Sequence, residues 1–339
     1  MLTQWKKQED LQFLNEVSCV PLQQGLRHLQ KAFANFFAGR AKYPKFRKRH
    51  NGGSAEFTRS AFSWKNGKVF LAKCKEALPI CWSRPLPAGS NPSTITVKLN
   101  PRGCWHISLL VDNPSIQPLP LLTKSVGLDV GISSLLTTSD GDKIANPKHF
   151  KRHRQKLKRV QKSLCRKKKG SNNRAKAHVK VARAHGKIAD SRLDFLHKLT
   201  TQLVRENQTI VVEDLAVKNM VKNPKLALAI SDAAWGELTR QLDYKCKWYG
   251  RTLVLVDRWF PSSKRCGHCG HIVESLPLDI REWNCPKCGT PHDRDINAAR
   301  NLLAVGHTVE VCGANIRPVD HKVEGQLRKT FRGRKQKPK

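Results

Sequence analysis

The chain has 339 residues, with 63 Lys+Arg against 26 Asp+Glu and a formal net charge of +37 at pH 7. Its 39% hydrophobic content is enough to bury a core and excludes a mere basic tail, and so large a cationic excess points to a polyanionic partner, nucleic acid ahead of an anionic membrane. There is no apolar run of 18 residues and no signal-peptide pattern, and eleven Cys in so long a chain point to reduced thiols and metal ligation, so the chain reads as soluble and cytoplasmic, with no membrane partner.

Leu22, Leu26, Leu29, Phe33 and Phe36 recur at the spacing of one helix face, which predicts an amphipathic helix over about 20–38. Tyr43-Pro-Lys-Phe-Arg-Lys-Arg-His50 then interleaves aromatic and basic residues, a pattern shared by base-stacking loops and by solvated charged loops. From 54 to 112 the runs are short and β-like. Thr94–Leu99 and Trp105–Val111 flank Asn100-Pro-Arg-Gly103 and predict a hairpin, while Pro79, Pro85, Pro87 and Pro92 break the preceding stretch. Residues 114–120 read as a linker.

Ser125–Gly131 has a buried-strand pattern with one acid, Asp129, in its middle. Residues 148–187 contain 17 Lys+Arg and no Asp or Glu. Apolar residues at helical spacing, interrupted by Lys169-Gly-Ser-Asn-Asn173, predict two long helices joined by a turn. Lys151, Arg152, Arg154, Lys158, Arg159, Lys162, Arg166, Lys167, Lys168, Lys169 and Arg174 are the candidate phosphate contacts. Thr209–Glu213 predicts another strand, Ser231 a cap for a helix through Tyr249, and Thr252–Asp257 a further strand. Strands alternating with helices predict an α/β sheet. A helix over 295–303 follows, then a tail whose residues 326–339 carry seven basic side chains and no acid, expected to be disordered.

Cys266-Gly-His-Cys269 and Cys285-Pro-Lys-Cys288 are two C-x₂-C pairs fifteen residues apart, the spacing of a closed Cys₄ site. All four positions are filled, so the predicted ion is a structural Zn²⁺, with His268, His271 and His292 as bystanders. Among the scarce acids, Asp129 and Glu213 sit on apolar strands and Asp295 at a helix start. Each alone is explained by a cap or a salt bridge. Together they could hold two Mg²⁺ ions for phosphodiester hydrolysis. Asp293, Asp214 and Asp257 compete for these roles, Asp293 most seriously.

Val126–Ile132, Val211–Leu215, Trp259-Phe-Pro-Ser-Ser-Lys-Arg-Cys-Gly-His-Cys-Gly270 and His292-Asp-Arg-Asp-Ile-Asn-Ala-Ala-Arg-Asn301 resemble the TnpB family of transposon-encoded proteins related to type V CRISPR nucleases. Phe195–Thr201 and Trp235–Leu242 fit the same pattern, and the resemblance covers about 20–305. It implies an α/β, RNase H-like (RuvC) nuclease domain over 121–262, including the basic helical hairpin of 148–204 and completed by a last helix over 293–308. A Cys₄ zinc ribbon is inserted at 263–292. A partial helical recognition region over 1–50 and a small wedge-like β-barrel over 51–120 precede it, and a basic tail over 309–339 follows.

The implied activity is RNA-guided, Mg²⁺-dependent DNA cleavage at Asp129, Glu213 and Asp295, the family pattern selecting Asp295 over Asp293. The implied partners are a guide RNA from the transposon end, target DNA, and a separate transposase of the same element. Family members usually begin with a strand and a helix that lie upstream of Leu2-Thr-Gln-Trp5. A genuine start here implies impaired guide or target-motif binding, and a misassigned start or a decayed copy is equally compatible. A non-cleaving transposition accessory or guide-dependent repressor is the alternative.

Overall fold

The computed structural model describes residues 2–46, 53–83, 85–87, 89–113 and 116–312, with side chains through 308. The latter half of the 43–50 aromatic and basic segment and the basic tail therefore lie outside the described residues. The chain divides into two units: residues up to 118 together with 148–195, and 119–147 together with residues from 196 on.

In the first unit a short α1 (Leu2–Trp5) and a 3₁₀ turn at Glu9–Asn15 precede α2 (Cys19–Phe37). The Ser18 hydroxyl accepts from the Val20 amide and starts α2 within a residue of the expected position. Strands β1 (Gly53–Thr58), β4 (Thr94–Leu99) and β5 (Trp105–Leu110) form an antiparallel sheet in the order β1-β4-β5, and β2 (Phe62–Lys65) pairs with β3 (Lys68–Leu71). Phe57, Ala61, Val69 and Ile95 form their core. The predicted β4–β5 hairpin is present. Its turn is fixed by Asn100 Oδ1, which accepts from the amides of Arg102 and Cys104 at 3.0 Å each, and by Gly103 at φ +78°.

Helix α3 (His149–Cys165) and helix α4 (Asn172–Glu206) are the predicted basic pair, and α4 continues from the first unit into the second. The hairpin tip reaches α4 through Arg102. Its Nη1 and Nη2 donate to the two Asp190 carboxylate oxygens at 2.5 and 2.9 Å, and its carbonyl accepts from Arg183 Nε at 3.2 Å. A Cβ on Gly186 would stand 2.0 Å from Arg102 Nε. A glycine inside a helix, which costs about 1 kcal/mol relative to alanine, is thus explained by the guanidinium lying across it.

The second unit is a five-stranded sheet of β6 (Ser125–Val130), β7 (Ser134–Thr138), β8 (Lys143–Ala145), β9 (Thr209–Glu213) and β10 (Thr252–Val256), in the order β10-β9-β6-β7-β8. The first three in that order run parallel, and β6, β7 and β8 are antiparallel. The helix expected from Ser231 to Tyr249 is instead α6 (Ala227–Ala233) and α7 (Trp235–Tyr249), after a short α5 (Val217–Met220). Ser231 lies inside α6 because the apolar run before it is already helical. Ala234, at φ +55°, breaks the two apart and donates its amide to Ile230 O at 3.1 Å. Strands β11 (Glu282–Asn284) and β12 (Pro291–Asp293) pair before α8 (Arg294–Cys312). Among the described residues no helix is long and apolar enough to cross a membrane.

Candidate metal sites and nucleic-acid surface

The acids are brought together by register and by close packing. Strands β6 and β9 pair in parallel, Leu128 opposite Val212, so the next step along both sets Asp129 beside Glu213. A Cβ on Gly127 would stand 2.1 Å from Ala299 O and 2.8 Å from Leu303 N, so only glycine lets α8 lie on the strand there. Asp129, two residues further along, shares that face with Gly127. Asp295 precedes Ala299 by four residues, one turn of α8. Buried Ala298 and Ala299, and Gly306 against Val211, keep the helix down on the sheet.

Burial, followed by the negative charges of Asp295 and Glu213, pushes the Asp129 carboxyl up to about 8. Glu213 is raised by burial and then by Asp214. Clustered carboxyls that resist ionisation are what a divalent cation relieves. Asp295 is held by Arg281 Nη1 at 3.1 Å, an arginine on the segment leading into β11 that no pattern in the sequence singles out. Among the described residues only the four cysteines bring three or more potential ligand atoms within 4.8 Å of one another.

Asp293 has a different task. Its Oδ1 accepts from the amides of Asp295 and Ile296 at 3.1 and 3.0 Å, capping α8, and its other oxygen takes Lys143 Nζ at 2.5 Å. Lys143 and this cap hold its carboxyl below the usual range, opposing its partial burial. Asp214 pairs with Arg258, and Asp257 Oδ1 accepts from the Trp259 amide.

Cys266, Cys269, Cys285 and Cys288 form a cluster able to hold a metal. Each pair sits on a tight turn closed by a left-handed glycine. The Gly270 and Gly289 amides donate to Cys266 O and Cys285 O at 2.9 and 2.8 Å, with φ of +75° and +71°. Cross-pair sulfurs lie 3.7 Å (Cys266–Cys288) and 3.6 Å (Cys269–Cys285) apart. Four sulfurs about 2.3 Å from a tetrahedral Zn²⁺ would be about 3.8 Å apart, so the thiols fit that ion. Hydrogen bonding by Thr290 pulls the Cys288 thiol down. His292 Nε2 lies 3.0 Å from Cys266 Sγ, a neighbour of the cluster rather than a member.

Two asparagines on α8 fasten the first knuckle to the helix. Asn297 Oδ1 accepts from the Gly267 amide at 2.9 Å, and its Nδ2 donates to Arg265 O at 2.7 Å. Asn301 Nδ2 donates to Ser262 O and Arg265 O at 2.8 and 2.7 Å. Their i, i+4 spacing on one helix face was the available signal.

On α3 and the turn after it, Lys151, Arg152, Arg154, Lys158, Arg159, Lys162, Arg166, Lys167, Lys168 and Lys169 are exposed, while Leu157 is buried. Arg174 differs from the other candidates. Its Nη1 donates to Leu164 O and Lys167 O at 3.0 and 2.9 Å, so it satisfies the carbonyls at the end of α3.

A mixed α/β sheet with acids at the ends of two adjacent strands, followed by a four-cysteine cluster fastened to the helix that carries a third acid, defines a class of α/β proteins with a metal-binding knuckle. The OrfB_IS605 family model, described as "Probable transposase", matches residues 106–224, and the "Cas12f1-like, TNB domain" model matches 235–302. A "Putative RNA-guided DNA endonuclease" of Streptomyces pristinaespiralis is 60% identical over 94% of this chain and 79% of its own length. The "Putative RNA-guided DNA endonuclease InsQ" of Escherichia coli (strain K12) is 33% identical over 92% of this chain and 80% of its own. A chain from a cryo-EM structure of a Cas12f1–sgRNA–target DNA complex aligns over 74% of this chain and 58% of that one, with 18% identity and a TM-score of 0.47. The chain belongs to the TnpB family.

Proposed function

We propose that the chain is an RNA-guided, Mg²⁺-dependent DNA endonuclease, with Asp129, Glu213 and Asp295 as the catalytic acids of an RNase H-like (RuvC) domain. The observation that carries this reading is the junction of β6, β9 and α8, where the register pairs Asp129 with Glu213 and the Gly127 contact brings Asp295 over them. The strand order, three antiparallel strands continued by two parallel ones, supports the RNase H-like assignment. The relatives' names point to the same activity.

Mg²⁺ bound by the three acids would supply Lewis acidity toward a phosphodiester. Asp129 must give up its proton to bind a cation, and Asp295 must loosen its pair with Arg281. Arg281 is then left beside the acids as a positive group for the phosphate. The four cysteines hold a structural Zn²⁺ that keeps the knuckle, and through Asn297 and Asn301 the start of α8, in place. The exposed lysines and arginines of α3 bind phosphates of a guide RNA from the transposon end or of target DNA. A separate transposase of the same element would perform transposition.

The test is purification of the full chain with its transposon-end RNA, followed by incubation with matching duplex DNA. Mg²⁺-dependent cleavage that disappears in Asp129→Ala is expected. Cleavage indifferent to Asp129→Ala would overturn the assignment of the acids, and target binding with no product at any Mg²⁺ concentration would favour the non-cleaving alternative.

A further inference from the structure

Trp259 is 85% exposed, yet it is not on a loose segment. Its amide donates to Asp257 Oδ1 at 2.8 Å, and the Phe260 amide donates to Asp257 O at 3.0 Å. The next ring, Phe260, packs against the core of Val211, Val254, Val256 and Leu302. Arg258 on the other side is paired with Asp214. One aromatic ring therefore anchors the turn in the core while its neighbour is presented to solvent. Exposing a tryptophan in this way forgoes the burial that usually stabilises it, and the fold gains nothing visible in return.

The position of the turn gives the ring a use. Val256, the last residue of β10, pairs with Glu213, and the Asp214 amide donates to Val256 O at 2.8 Å. Trp259 follows by three residues, at the same end of the strands as the proposed catalytic acids. A flat π face carried on an anchored backbone turn, with Arg258 adjacent in sequence, matches an unpaired nucleobase, whose stacking on an aromatic side chain is worth about 1–3 kcal/mol. A base paired within a duplex offers no such face, so the residue would favour a single strand.

We infer that Trp259 is a nucleobase-stacking residue that positions an unpaired stretch of the substrate strand beside the acid cluster. The inference rests on the nuclease reading for its purpose, but its test does not require cleavage. The full chain carrying Asp129→Asn is mixed with single-stranded DNA containing 5-iododeoxyuridine and irradiated, and adducts are mapped by mass spectrometry. The expected adduct is on the Trp259 peptide. It persists in Trp259→Phe and disappears in Trp259→Ala, whose affinity for the same strand falls roughly 5- to 150-fold, as loss of one stacked base predicts. Trp105, 69% exposed in the first unit, serves as a comparison, and Trp105→Ala should leave the Trp259 adduct intact. Thermal melts of Trp259→Ala check that the variant still folds. Adducts elsewhere with none at Trp259 would overturn the inference. An adduct at Trp259 in a protein whose unmutated form never cleaves would overturn the nuclease reading and leave the stacking site standing.

Discussion

Asp129 links the metal question to pH. Its folded-state carboxyl, near 8, is far above the ordinary 3.8, so without metal the folded chain holds a proton that the unfolded chain releases. Its contribution to stability is complete below about pH 4 and is lost as pH rises toward 8. A divalent cation competes with that proton. Thermal melts should therefore show Mg²⁺ stabilising the protein more at pH 8.5 than at pH 6.5, and Asp129→Asn should remove most of the difference. Ala234 offers an independent residue-scale test. A left-handed alanine is strained, and Ala234→Gly should stabilise the chain by about 1 kcal/mol, read as a higher midpoint in denaturant. The proposed roles of Asp293 and Asp295 can be told apart by experiment. Asp293→Asn should cost stability through the cap and Lys143, whereas Asp295→Asn should chiefly abolish Mg²⁺ binding.

At the scale of elements, the contact between the hairpin and α4 can be dissected. Gly186→Ala should displace Arg102 and weaken its pair with Asp190, at a cost of up to about 1 kcal/mol that offsets alanine's better helix propensity. In Arg102→Ala the same glycine replacement should stabilise by about 1 kcal/mol, a difference that denaturant titrations of the four variants would reveal. The asparagine clamp on α8 makes a second prediction. Removing metal with a chelator should raise amide exchange not only in the cysteine turns but also across 294–301, and Asn301→Ala should reproduce part of that loosening with metal present.

Which elements were legible from sequence follows from their length and periodicity. Helices α2, α3, α4 and α8, the β4–β5 hairpin and strands β6, β9 and β10 each carry several periods of pattern or a strong turn signal. Strands β7 and β8 went unread. Ser134–Thr138 is buried almost throughout and does not alternate, and Lys143–Ala145 has only three residues. The acids stood out individually because charge on an apolar strand is conspicuous. Their pairing depends on strand register and on the Gly127 contact, which arise only in three dimensions. Arg281 belongs to an irregular segment, where no period marks a residue for notice, and Trp259 stood out only as the first residue of a family motif, with no role attached.

For the whole molecule, the +37 charge is the dominant feature of its encounters with other macromolecules. Replacing Lys151, Arg152, Lys158 and Arg159 together by Gln should weaken nucleic-acid binding for all sequences alike. It should also lower the slope of log affinity against log salt by up to about 3–4. The seam between β6 and α8 has a practical consequence for anyone who wants a programmable binder that does not cut. At Gly127 even one added carbon meets backbone, so a substitution there endangers the fold itself. Two residues further on, Asp129→Asn replaces a carboxyl that the fold keeps protonated with a neutral group of the same shape. On the proposed assignment of the acids, a silent binder is therefore to be sought at the carboxylate and not at the glycine, although both belong to the same short strand motif.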